Sequence, residues 1–236
     1  MTGQRQVVPV PATVPSPIIT NGPRAQRKVA LTFDADLTAA MRDRLVARTV
    51  SSYADMRIVD ELVATSTPAT FFFTGLWMET YPEQTRRIGD HRMFELATHS
   101  QTHRGFREKC FRLGLVPPDE MHAEVVQPIT TLQGLTGRAT NYFRFPGGCW
   151  TDDALRIVLN AGMTVVHWDV ESGDAFCESA DVIVDKVVAN VRPGSIVLFH
   201  LGGPNAPRTA DALPRILAAL AERDLTPVTL TDLLHP

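Results

Sequence analysis

The stretch KVALTFDADLT, residues 28–38, decides how the rest of the chain is read. Val29 to Phe33 is a short apolar run, the pattern of a buried strand, and it ends on two carboxylates, Asp34 and Asp36, with Ala35 between them. Acids at a strand end are either turn formers or reactive groups. What the other strand ends carry decides between the two.

Working outward, apolar runs at 69–74, 95–98, 142–145, 164–168, 195–199 and 227–229 repeat the pattern of 29–33. Between them lie helix-like stretches near 54–65, 82–89, 119–135, 151–161, 180–191 and 208–223. In TDDALRIVLNAG, residues 151–162, Thr151 is a cap, Asp152 and Asp153 suit the positive helix end, and Gly162 suits its stop. Strands alternating with helices predict an α/β fold with a parallel sheet, in which chemistry gathers in the loops after the strands. Residues 1–26 hold five prolines and no helical period, which predicts an extended arm lying over or beside the domain that follows. The segment 37–61 is longer than a minimal connection and is expected to form a flap.

With 23 basic and 26 acidic residues the chain has no excess of positive charge and no basic block, which argues against nucleic acid as a partner. No apolar run has the length of a membrane span. The N-terminus lacks the basic-then-apolar pattern of a leader. The chain is therefore expected either to stay in the cytoplasm or to be the mature form of a secreted or cell-wall-associated protein. Three cysteines, Cys110, Cys149 and Cys177, allow one disulfide and a free thiol, or three thiols.

Reactive residue types do stand after the strands. ELATHSQTHRGF, residues 95–106, sets His99 and His103 four apart, so one helical turn would bring both imidazoles to one face. With a carboxylate, such a pair suits zinc or a similar ion that keeps an open position for water. NYFRFPGGCW, residues 141–150, places Arg144 in an apolar strand end, where it needs a carboxylate partner, followed by glycines whose amides suit a developing oxyanion. Asp169, Glu171 and Asp174 follow the next strand, and His200 ends the run SIVLFH, well placed for a general acid opposite a metal site. There is no nucleophile elbow, phosphate-binding glycine loop or CxxC pair. His91, His122, His167 and His235 have no comparable setting and are read as structural.

Taken in order, LTFDAD, ATFFFTG, HSQTH, RFPGG, WDVESGD and GSIVLFH resemble the successive motifs of the polysaccharide deacetylases, carbohydrate esterase family 4. The likeness covers nearly all of the chain after the arm and implies a catalytic domain over 27–236. The fold it implies is a distorted (β/α) barrel, in keeping with about seven parallel strands. It implies hydrolysis of N-acetyl groups on an amino-sugar polymer such as peptidoglycan or a chitin-like chain. Asp34 would be the general base, held by Arg144, and Asp36, His99 and His103 would bind a divalent metal, zinc or cobalt. An amide near Gly147 would bind the oxyanion. His200, oriented by Asp174, would protonate the leaving amine, and Leu198 would line the pocket for the acetyl methyl.

Some positions depart from the family pattern. The family usually has adjacent aspartates where Ala35 intervenes here, so Asp36 is expected to reach the metal only if the strand end bulges. Gly147 replaces an aromatic residue, Ala175 followed by Phe176 replaces a tryptophan, and Leu201 stands where an acid often follows, which predicts a more open groove. Trp150 and Trp77 are the candidate sugar-stacking surfaces, with core packing as the other role for either. The same site would also suit hydrolysis of a small cyclic amide or ureide. A silent carbohydrate-binding protein would instead show loss of a ligand or of the base. The oligomeric state is not legible.

Overall fold

The computed structural model describes residues 18–235, so most of the expected arm, residues 1–17, lies outside the described residues. Nine strands are present among them: β1 (Ile18–Ile19), β2 (Lys28–Ala35), β3 (Ala69–Phe73), β4 (Phe94–Thr98), β5 (Tyr142–Phe143), β6 (Thr164–Val166), β7 (Val170–Glu171), β8 (Ile196–His200) and β9 (Thr226–Val228). All seven expected strands are found, and the two others, β1 and β7, are only two residues long. The helices are α1 (Ala39–Val46), α2 (Arg57–Ala64), α3 (Gly75–Thr80), α4 (Pro82–Asp90), α5 (Met121–Thr136), α6 (Asp152–Asn160), α7 (Ala180–Asn190), α8 (Thr209–Glu222) and α9 (Leu230–Leu234).

Every pairing between these strands is parallel, in the order β1-β6-β5-β4-β3-β2-β8-β7, with β9 on the start of β2. The two ends of that order are joined by the chain itself. β6 pairs with β5, and four residues later β7 pairs with β8, so residues 164–171 bridge the sheet into a distorted (β/α) barrel. The end of the arm is part of this seam. Ile18 and Ile19 pair with Val165 and Val166, and the Gly22 amide donates to Gly194 O at 2.8 Å. Among the described residues the sheet therefore begins at Ile18, nine residues before the domain boundary expected at 27.

Alternation along β2 explains how the barrel is filled. Val29, Leu31, Phe33, Ala35 and Leu37 face outward into the main core, where α2, α3, α7 and α8 pack with buried Leu62, Trp77, Val187 and Ile216. Ala30 belongs to a separate interior cluster with Phe72, Ala97, Val166 and Ile196, plugged by Leu230 and Leu233 of α9. The plug is fixed where the Leu230 amide donates to Thr70 Oγ1 at 3.1 Å. Because all strands run the same way, their C-terminal ends share the opposite rim, and the polar interior residues gather there.

The segment 37–61 contains α1, which buries no residue, and Thr38 caps it by accepting from the Met41 amide. Thr38 and Met41 stand at the edge of the rim cavity. The later part is anchored by Asp55 N donating to Leu201 O at 2.8 Å and by Trp77 Nε1 donating to Tyr53 O at 3.2 Å. Trp77 is fully buried and takes the core role. No helix among the described residues is long and apolar enough to cross a membrane.

Candidate active site and metal centre

Asp34 and Asp36 lie two residues apart on β2 and its continuation, so both project into the barrel mouth while Ala35 faces the outer core. The bulge expected at Ala35 is absent. Asp34 is in register with Phe72 on one side and His200 on the other, and Ala35 continues the register against Phe73. A one-residue spacer is what a flat strand needs to place two acids on one face.

His99 and His103 converge as expected, with ring centroids 4.9 Å apart, but through a loop and not a helical turn. Ser100 (φ 66°) and His103 (φ 60°) adopt left-handed backbone, and Ser100 Oγ accepts from the His103 amide at 3.1 Å. Asp36 Oδ1 lies 3.5 Å from His99 Nε2 and 3.4 Å from His103 Nε2. That oxygen is buried and has no hydrogen-bond partner. His99 Nδ1 lies 2.8 Å from Arg144 O, and only N–H bonds a carbonyl, so Nε2 presents its lone pair to the cluster. Burial drives the His99 imidazole down to about 3 against the pull of Asp36, which keeps it neutral. One carboxylate and two imidazoles, with ligand atoms within 4.8 Å of one another, fit a small divalent cation of the zinc type.

Arg144 is fully buried and sits on the Phe72 ring, 3.9 Å from its centroid. Its Nη1 donates to Asp34 Oδ1 at 2.7 Å, and its other nitrogens donate to Val166 O and His167 O. The other Asp34 oxygen, Oδ2, faces His99 Nε2 at 3.4 Å. The carboxylate thus has one oxygen held by arginine and one turned to the cluster. On the opposite side, His200 Nδ1 bonds Asp174 Oδ1 at 2.8 Å, and its Nε2 stands 3.7 Å from Asp36 Oδ2. Asp174 also accepts from the His200 amide and from Thr209 Oγ1, both at 2.7 Å. Burial opposes charging of both partners. The interaction wins: the Asp174 carboxyl is held below its ordinary value and the His200 imidazole is raised to about 10.

Asp34, Asp36, His99, His103 and His200 line a cavity of about 280 Å³ that also includes Gly147, Trp168, Leu198 and Phe176, while Arg144 and Asp174 stand behind its wall. Leu198 is in register with Thr32, two residue pairs below Asp34 and His200 and so on the same face of the sheet. The amides of Gly148 and Cys149 are spent on Phe145 O and Pro146 O, so in that turn the Gly147 N–H is the one left to face a ligand. Trp150 does not line the cavity; it stacks between Phe145 and His167. Trp168 takes the place at the wall that was expected of Trp150. Cys110 pairs with Cys149, and Cys177 is free.

Glu124 is a functional residue that the sequence reading passed over. Its buried carboxylate accepts from the amides of Gln101 and Thr102 at 3.0 and 2.9 Å, from Thr102 Oγ1 at 2.5 Å and from Arg104 Nη2 at 2.9 Å. It therefore fixes the left-handed loop that presents His103. The available signal was an acid on the apolar stripe Met121, Val125, Pro128 and Leu132 of α5. Glu124→Gln should weaken binding of an added divalent cation, with zinc as the probe, by about 10–100-fold in calorimetric titration, with Asp36, His99 and His103 unchanged.

An α/β barrel whose strand ends hold a two-histidine, one-aspartate cluster, an arginine-held aspartate and an aspartate-held histidine defines the class of metal-site hydrolases that activate water. The polysaccharide deacetylase family model matches residues 21–166. A chitooligosaccharide deacetylase of Sinorhizobium fredii is 33% identical over 177 residues, covering 70% of this chain and 79% of the relative. The chain belongs to the polysaccharide deacetylase family. Among solved structures, the Bc1960 peptidoglycan N-acetylglucosamine deacetylase aligns with TM-score 0.76 and 27% identity over 92% of both chains. A family pseudoenzyme from Bacillus anthracis shares the fold at TM-score 0.75 and 24% identity, covering 92% of this chain and 69% of its own, so the fold alone does not decide activity.

Proposed function

We propose that this protein is a metal-dependent hydrolase that removes N-acetyl groups from amino-sugar residues of a polysaccharide. The observation that carries the reading is the buried, unpartnered Asp36 Oδ1 between His99 Nε2 and His103 Nε2, with Asp34 on one side and His200 on the other. The named chitooligosaccharide and peptidoglycan deacetylases among its relatives support the substrate class.

Asp36, His99 and His103 would hold the cation, most simply zinc. When bound, it supplies Lewis acidity, polarising the amide carbonyl and acidifying the attacking water. Asp34 accepts the water proton on Oδ2, because Arg144 occupies Oδ1 and keeps the carboxylate aimed. As the water oxygen bonds to the carbonyl carbon, the Gly147 amide donates to the developing oxyanion. His200 then gives a proton to the amide nitrogen as the C–N bond breaks, since an amine anion is too poor a leaving group at neutral pH. The charge of Asp174 keeps that imidazole loaded for the step. Acetate and a free amine leave, and the proton on Asp34 passes back to restore His200. Leu198 would line the space of the acetyl methyl.

The disulfide between Cys110 and Cys149 supports export to an oxidising compartment, so we place the protein outside the cytoplasm, secreted or at the cell wall. The reading is tested by incubating the purified protein with tetra-N-acetylchitotetraose, N-acetylated peptidoglycan and a hydantoin. Acetate and new amine from either glycan are expected. Turnover of the hydantoin alone would contradict the substrate, and turnover of none would contradict the enzyme.

A further inference from the structure

Two phenylalanines on the rim of the cavity are poorly explained by folding. Phe111 is 84% exposed and Phe176 is 77% exposed, and both adopt left-handed backbone, φ 50° and 55°. A non-glycine residue in that region is strained, and here the strain is not offset by burial. Strain and an exposed aromatic ring in the same two residues, both lining the cavity of Asp34, His99 and His200, point to a ligand.

Phe111 is also placed deliberately. It follows Cys110, whose disulfide to Cys149 ties the 105–116 loop to the glycine turn 39 residues away in sequence. The loop closes on itself, with Gly105 N donating to Gly114 O and Val116 N to Gly105 O, both at 2.9 Å. It lies so close to the turn that a Cβ at Gly147 would sit 2.9 Å from Cys110 Sγ, 3.0 Å from Phe111 Cδ2 and 3.1 Å from Leu113 Cδ1. The groove beside Gly147 is thus walled by Phe111 and Leu113 from another segment, and the opening predicted there is filled. Phe176 is fixed independently, its amide donating to Asn205 O at 2.7 Å, just past the Asp174 that holds His200.

We propose that Phe111, seated by the Cys110–Cys149 disulfide, is a specificity-determining residue that grips the sugar unit next to the one being deacetylated, with Phe176 gripping on the His200 side. This rests on the deacetylase reading. The occupant is the apolar C–H face of a pyranose ring, which a flat exposed aromatic ring covers while the hydroxyls stay in water. The site therefore reads a chain and not a single amino sugar.

The test compares tetra-N-acetylchitotetraose with N-acetylglucosamine on the zinc-loaded protein, and measures calorimetric binding of the tetramer to the metal-free protein. Phe111→Ala should raise KM and Kd for the tetramer by about tenfold, move kcat by twofold or less and remove the preference for tetramer over monomer. Its melting temperature should match the parent, because the ring is exposed. Cys110→Ser with Cys149→Ser, or reduction by a phosphine, should reproduce the loss, and adding Phe111→Ala to that pair should cost nothing further. An unchanged tetramer Kd in Phe111→Ala overturns the proposal, and additive losses overturn the role of the disulfide. If the parent binds the tetramer through Phe111 yet releases no acetate, the deacetylase reading fails and the grip stands.

Discussion

Asp34→Asn is expected to lower kcat for acetate release by about 10²–10⁴-fold, because the group that accepts the water proton is gone. The same change has a second consequence. Arg144 is completely buried, and Asp34 is its carboxylate partner, so the variant strands a guanidinium in the barrel interior. Breaking such a pair costs about 3–5 kcal/mol, which for a domain of this size lowers the melting temperature by on the order of 10 °C. Adding Arg144→Met removes the stranded charge and should return part of the stability and none of the rate. Zinc should remain bound throughout, since Asp36, His99 and His103 are untouched. Calorimetry and turnover on one set of proteins separate the two effects. A full rate in the stable double variant would remove Asp34 from the chemistry.

His200→Ala should lower kcat on the amide by about 10²–10³-fold at unchanged zinc content. On p-nitrophenyl acetate the loss should be much smaller, because a nitrophenolate leaves without a proton. Loss of zinc in this variant would mean that His200 is a ligand. The pairing with Asp174 also fixes a pH dependence. His200 is raised in the folded protein to about 10 from 6.5, so its contribution to stability is complete below about 6.5 and is lost as pH rises through about 10. Asp174 is held low, so its contribution is present above the ordinary carboxylate range and is lost as pH falls through its depressed value. Asp174→Asn should therefore move the alkaline limb of the kcat profile to lower pH. An unmoved limb would show that Asp174 does not set the state of the acid.

Much of this was legible in the sequence because strands and their ends have strong local signals. The run from Val29 to Phe33, the HxxxH pair, Arg144 in an apolar run and His200 after SIVLF all stand where the barrel needs them. What was misread depended on backbone direction or on distant partners. The spacer Ala35 suggested a bulge, although simple alternation sends Asp34 and Asp36 to the same face. The spacing of His99 and His103 suggested a helix, although left-handed residues held by Glu124 make the turn. Trp150 was a candidate sugar-stacking surface with core packing as its other role; it packs on Phe145, and Trp168 lines the cavity. Gly147 suggested an open groove, because nothing local to it shows that residues 105–116 fold over it. β1 and β7, two residues each, stand outside the longer apolar runs that marked the other strands, the two-residue β5 included.

The central claim is that Asp36, His99 and His103 hold one cation that deacetylation requires. Its most direct test is zinc titration of the metal-free protein with acetate release from tetra-N-acetylchitotetraose followed at each addition. No release is expected without metal, then a rise that saturates at one zinc per chain, and loss of both binding and turnover in Asp36→Ala. Undiminished release from the metal-free protein, or one tight zinc per chain in Asp36→Ala, would contradict it.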